Sequence, residues 1–288
     1  MLKRRLLHHF IVIVLVVAGG GFTAATLVRM APGNGVDENL LDPNLSEVSK
    51  QALMRERHAS ETTWQFYGRC LRSLRHGDLG KSQSLDQPIA TLIRDRAPAT
   101  LRLVTLGLLI GWCASLGLAI STSAFHWRPG ELLGTALSGL FLSLPAAALA
   151  LFSVMWNLGA SLAIGLIVFP RVYRYASNLL RSAYDSPHII MARAKGLGRG
   201  RILAFHVLPV IATPLLAVFG VSVTFAIGAA IPIEALCGIP GLGQLAWQAA
   251  LSRDLPLIVY VTTLVSLLTV VANSVADAAA TAVGEPAS

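Results

Sequence analysis

Charge is what this chain has least of. Only 13% of its 288 residues are Asp, Glu, Lys or Arg, where a soluble domain carries about a quarter. Apolar residues make up 54%, and the mean hydropathy is +0.64. That balance excludes an ordinary soluble enzyme and predicts a polytopic membrane protein. Cysteine is scarce as well. Cys70, Cys113 and Cys237 stand singly, with no CxxC or Cys/His spacing to frame a metal. They read as packing residues, with a Cys70–Cys237 pairing left open. HExxH and GxSxG are both missing, and the confidently apolar runs hold no Asp, Glu or His. An intramembrane protease would have nothing to work with. Gly80-Lys81-Ser82 ends like a phosphate-binding loop, but the glycine required five residues earlier is replaced by Arg75. The chain therefore reads as non-enzymatic, with no ATPase machinery, cofactor or metal of its own.

What the chain has is long apolar runs. Phe10 to Val28 follows a basic start and lacks a clear cleavage site, so it predicts an uncleaved first span. Ala31 to Pro98 is the long polar region, with an amphipathic stretch over Leu45–Tyr67. Pro98 to Ser121 is the second span, where Gly107-x-x-x-Gly111 suits close helix packing. Leu132 to Pro170 holds 39 residues without a charge, about two spans of roughly 20 residues each. Trp156-Asn157 marks the turn between them, and Pro145 and Pro170 are candidate kinks. Arg171, Arg174 and Arg181 then lead the fourth helix out of the bilayer. Leu208 to Ile231 is the fifth span, Pro232 to Asp254 an external loop, and Leu255 to Ala276 the sixth span. No span is expected to carry a buried charge.

The net charge of +8 is explained by orientation rather than by nucleic acid. With the N-terminus inside, the cytoplasmic segments hold eleven Lys/Arg and four acids, whereas the short external loops hold almost no cations. The resulting reading is all-α: six transmembrane helices, both termini cytoplasmic. Residues 1–30 form the tail and first helix, 31–98 an extracytoplasmic segment, 99–279 the core with helices two to six, and 280–288 the C-terminal tail. The core includes a cytoplasmic loop, 182–209, between helices four and five.

That loop is the unusual stretch. Ser182 to Ile190 approaches a short helix with Pro187 near its start. Ile189 to Leu197 mixes apolar residues with Arg193 and Lys195, and Ala192 and Ala194 are small enough for a partner to come close. Gly196 allows a turn out of the helix, and Pro209 caps the return to the bilayer. Two readings of the residues stand side by side: a helix docking into a groove of a soluble partner, or a basic helix lying on the membrane surface.

The spacing Ala192-x-x-x-Gly196, with Leu208-Pro209 placing proline thirteen residues after the glycine, resembles the EAA loop of ABC-importer permeases. Ile190-Met191 stands where the usual pattern has Glu-Ala. The resemblance runs along most of the chain: Arg29-Met30-Ala31-Pro32-Gly33, Trp64-Gln65-Phe66-Tyr67, Gly77-Asp78-Leu79-Gly80-Lys81-Ser82, Ala97-Pro98-Ala99-Thr100-Leu101, Ile239-Pro240-Gly241-Leu242-Gly243 and Arg253-Asp254-Leu255-Pro256 follow in order. Together these are similar to the B-type permease of dipeptide, oligopeptide and nickel importers. The loop between the third and fourth spans is shorter than relatives carry.

The resemblance implies half of a translocation path in the bacterial inner membrane. A second, C-type permease would supply the other half. One or two cytoplasmic ATPase subunits would carry ATP and Mg, and an extracytoplasmic binding protein would deliver a di- or oligopeptide. Ala192, Arg193, Ala194, Lys195, Gly196, Leu197, Leu208 and Pro209 would form the ATPase-coupling site. Nickel or another small solute, a membrane scaffold keeping only the ATPase contact, and a secondary transporter are the alternatives.

Overall fold

The computed structural model describes residues 79–125 and 127–284, together with 15–16, 19–23, 26, 65, 68–70 and 72–73. The first span and the amphipathic stretch lie almost wholly outside the described residues. Named in order, the elements are α1 (Ile89–Phe125), α2 (Arg128–Ser143), α3 (Ala146–Met155), α4 (Ala160–Tyr184), α5 (Pro187–Ala194), α6 (Arg199–Cys237), α7 (Leu242–Leu251) and α8 (Leu255–Gly284). The remaining pairing among the described residues is one bridge, Lys81 to Pro88. Among the described residues, three helices are long and apolar enough to cross a bilayer: Ile89–Ala124, Arg199–Cys237 and Leu255–Ala282. The bent pair α2 and α3 would make a fourth. Six spans are not reached among the described residues.

Prolines shape the helices differently from the expectation. At Pro145 the helix does not kink but breaks. A residue before proline is driven out of the helical region, and Leu144 adopts φ −88°, ψ 129°. The axes of α2 and α3 consequently differ by 102°. At Pro232 the opposite happens: the expected loop is a helix as far as Cys237, because Ile233 next door is fully buried and its packing outweighs the lost backbone bond. Pro209 does not cap the return either. It lies within α6, two residues after a π-type turn at Leu203–Val207. Its missing N–H leaves a carbonyl one turn back without the usual donor, and a widened turn absorbs the mismatch.

The chain divides into two compact units, one of Met1–Asp95 with Leu245–Leu267, the other of Arg96–Gln244 with Leu268–Ser288. The smaller unit is built on Ile89, Leu92, Leu245, Leu257 and Val261. The larger has two apolar cores. In one, Leu103, Val104 and Leu108 of α1 meet Leu149 of α3, Ile164 and Val168 of α4, and Ala226 and Ile233 of α6. In the other, Phe169, Tyr173 and Leu180 of α4 share a cluster with Ile189 and Ala192 of α5 and Ile202, Val207 and Ile211 of α6. The Gly107 and Gly111 face is where α1 comes closest to α4. A Cβ on Gly107 would lie 2.5 Å from Ile164 Cβ, and one on Gly111 would lie 2.9 Å from the Gly165 carbonyl. One turn on, Ser115 Oγ donates to Gly111 O on its own helix and to Phe169 O on α4, at 2.5 and 3.0 Å.

The turn at Trp156-Asn157 is where the sequence puts it. Asn157 has φ +50°, a conformation its short polar side chain tolerates, and Gly159 leads into α4. Cys70, Cys113 and Cys237 are free thiols, so the Cys70–Cys237 pairing is not formed.

Candidate functional site

Helix α5 is two turns long and carries its own start and stop. Pro187 occupies a first-turn position, where its fixed φ suits a helix and its missing N–H costs nothing. Ser186 Oγ donates back to the Ala183 carbonyl at 2.5 Å, tying the entry to the end of α4. At the other end Gly196 sits at φ +77°, where a side chain would be strained. Its N–H reaches Arg193 O at 2.9 Å and the Leu197 N–H reaches Ala192 O at 3.3 Å. These bonds satisfy the last carbonyls of the helix.

The eight residues of the predicted coupling site divide by environment. Ala192 is buried at 5% exposure beneath the helix, one turn from fully buried Ile189, so it seats α5 on the chain's own core rather than facing outward. Leu197 is half-buried, whereas Arg193, Ala194, Lys195 and Gly196 are exposed. Leu208 and Pro209 lie on α6 and are exposed too. Ile190 and Met191 also face outward, at 56% and 62% exposure. The outer face of α5 is therefore an apolar pair beside a basic end. Arg193 lies over the Tyr184 ring, 5.3 Å from its centroid. Burial raises the Tyr184 phenol above its ordinary value, against a lowering pull from Arg193.

A second feature opens where α2 breaks from α3. A cleft of about 320 Å³ is bounded by Phe141 and Pro145 at the break, Ile167 and Arg171 of α4, and Thr224 and Phe225 of α6. Arg171 packs against α6. Its guanidinium lies 3.9 Å from the Phe225 ring centroid, and Nη1 donates to Ile167 O at 2.9 Å.

Two acids that the sequence reading left in loops prove to be structural anchors. Glu234 is fully buried and lies within α6, which corrects the expectation of no buried charge in a span. Its Oε2 accepts from the Gly243 N–H at 2.6 Å and the Gln244 N–H at 3.2 Å. The Leu242 N–H donates to Thr100 Oγ1 at 2.7 Å. These bonds cap the start of α7, where unpaired donors and the helix dipole favour an anion. The glycines of Ile239-Pro240-Gly241-Leu242-Gly243 leave room for this: a Cβ on Gly241 would stand 2.3 Å from that carboxylate. The available signal was that Glu234 is the sole acid between Asp185 and Asp254.

Asp254, 1% exposed, anchors the smaller unit in the same way. Ser82 Oγ donates to its Oδ2 at 2.5 Å, and Ser84 donates through N–H and Oγ at 3.0 Å each. Its Oδ1 accepts from the Leu257 N–H at 3.1 Å, at the start of α8. Gly80-Lys81-Ser82 and Arg253-Asp254-Leu255-Pro256 are thus two halves of one hydrogen-bonded corner.

Residues 115–285 match the family model described as binding-protein-dependent transport system inner membrane component. The chain is 24% identical over 280 residues to the oligopeptide transport system permease protein AppB of Bacillus subtilis (strain 168), covering 87% of this chain and 88% of that protein. It is 25% identical over 270 residues to the nickel import system permease protein NikB of Staphylococcus aureus (strain bovine RF122 / ET3-1), covering 87% and 81%. Against the protein of that name from strain USA300 it is 26% identical over 271 residues, covering 87% and 81%.

Proposed function

The chain belongs to the binding-protein-dependent transport system inner membrane components, a family of permease subunits of ABC importers, and we propose that it forms half of the path for di- or oligopeptides. It works with an ATPase and a substrate-binding protein; a second, C-type permease would complete the path. On this reading the chain crosses the inner membrane six times with both termini in the cytoplasm. ATP and Mg reside on the partner ATPases, one or two in number.

The observation that carries the coupling role is the outer face of α5. A two-turn helix, seated through Ile189 and Ala192, presents exposed Ile190, Met191, Arg193, Ala194 and Lys195. The apolar pair offers area to a groove, and the cations offer partners to acids on an ATPase. ATP-driven closure would move α5 with its ATPase. It biases the spans because the closed ATPase binds one membrane conformation more tightly.

Ala194→Glu and Lys195→Glu test this in the full transporter. Both positions are exposed, so insertion is expected to persist. Substrate-stimulated ATP hydrolysis and uptake are expected to fall at least tenfold, or the ATPase to be lost on purification. Wild-type stimulation in both variants would overturn the docking role. The nickel reading is favoured by relatives named as nickel import permeases. Uptake by liposomes holding all subunits, offered peptide or nickel through the binding protein, decides between the solutes. Uptake of neither, with ATPase binding intact, would instead indicate a scaffold.

A further inference from the structure

On the six-span reading proposed above, the cleft at the α2–α3 break would lie deep in the bilayer. Cys237, ending α6, has its Sγ 3.8 Å from the Ala150 carbonyl of α3, and α3 leads into the short turn before α4. The end of α6 and the start of α4 therefore share one side of the larger unit. Arg171 lies eleven residues into α4, and Phe225 lies twelve residues before the end of α6. With α4 taken as a span and both helix ends set at the edge of the hydrocarbon core, 1.5 Å per residue gives depths of about 16 and 18 Å, near the middle of a core of about 30 Å. Two helices used as rulers thus place the guanidinium at the same level.

A charge at that depth is costly and marks a functional position by default. Arg171 has five N–H donors to offer. One reaches Ile167 O, the ring of Phe225 covers one face, and no acid pairs with the group among the described residues. Its surroundings are polar in one further place. Thr224 Oγ1, also lining the cleft, accepts from Asn273 Nδ2 at 2.8 Å. The helix break supplies the third observation. Non-helical backbone is tolerated at membrane depth only where protein buries it or a water-filled cavity adjoins it, and here a cleft adjoins it. An unpaired cation beside a cleft, held by a ring and one carbonyl, has donors left for an anion and suits the forked geometry of a carboxylate.

The geometry points to Arg171 as a specificity-determining residue of the path, taking a carboxylate of the solute as it passes the α2–α3 break. This rests on the peptide-importer reading above. It narrows the solute to one bearing a free carboxylate and disfavours a bare divalent cation, which Arg171 would repel.

The test uses the complete transporter in liposomes with saturating loaded binding protein. The probes are a peptide with a free C-terminal carboxylate and the same peptide amidated. Wild type is expected to import the free acid on the order of tenfold faster, the scale of one charge-assisted contact. Arg171→Gln should bring that ratio close to one, and Arg171→Lys should keep part of it. Gly228→Asp gives a check that leaves Arg171 in place. Gly228 lines the cleft, a Cβ there meets nothing within 4 Å, and the new carboxylate should compete for the guanidinium and lower the ratio as well. A wild-type ratio near one overturns the proposal. So does a wild-type ratio in Gly228→Asp or Arg171→Gln, or an equal loss of both probes, as expected if Arg171 contacts lipid phosphate or another subunit. If wild type imports neither peptide, the peptide-importer reading itself fails and the subsite falls with it.

Discussion

Glu234 shows what one buried carboxylate does for this chain. It reaches from the end of α6 to the first N–H groups of α7 and spares them an unpaired burial. Glu234→Ala would leave both donors bare in a site that excludes water, a loss of about 1–3 kcal/mol. Glu234→Gln keeps an acceptor oxygen and should lose less. Thermal unfolding of the detergent-purified complex reads the difference: Ala is expected to melt below Gln, and Gln below wild type. Equal melting of Ala and wild type would contradict the capping role. The same logic fixes Gly241, since any side chain there would displace the carboxylate.

Between elements, one tight constraint is the α1–α4 contact at Gly107. Gly107→Val would place a branched side chain where Ile164 Cβ already stands 2.5 Å from a Cβ position. Overpacking of that kind costs about 1–3 kcal/mol, and Ile164→Ala, which keeps Cβ but removes the Cγ2 standing at 2.6 Å, should recover part of it. Partial rescue of the melting temperature in the double variant supports direct contact, and purely additive losses would contradict it. That contact was legible in the sequence, as was α5, because Gly107-x-x-x-Gly111 and the Pro187 to Gly196 bracket act locally. The turn at Trp156-Asn157 was legible for the same reason. The Glu234 anchor was not, since its partners at Gly243 and Gln244 become neighbours only when α6 runs through Pro232. Proline was read there as a helix stop, and packing of Ile233 overrode it. At Pro145 the reverse error arose: a kink was expected, and nothing local in the apolar run signalled a bend of 102°. Arg171 likewise has a neighbour in space that is far from it in sequence. Its sequence neighbours Arg174 and Arg181 suggest an exit from the bilayer, whereas its three-dimensional neighbour is Phe225.

For the whole molecule, the decisive quantity is the asymmetry of charge across the bilayer. Arg193 and Lys195 fall between α4 and α6, Arg199 and Arg201 open α6, and all four are exposed. The segment from Gly238 to Ser252 holds no cation at all. The positive-inside bias acts on short loops such as these, so on the proposed topology it would set α5 in the cytoplasm and α7 outside. A cysteine-free background with single cysteines checks this directly. Ser252→Cys, exposed after α7, should react with a membrane-impermeant maleimide in spheroplasts. Lys195→Cys, exposed after α5, should react only once the membrane is opened. Labelling of Lys195→Cys in sealed spheroplasts would invert the topology and remove α5 from reach of any cytoplasmic ATPase. The packing of Arg171 against Phe225 beside the cleft is independent of that orientation. Orientation and coupling therefore stand or fall together, while the carboxylate subsite is a separate claim about the interior of the path.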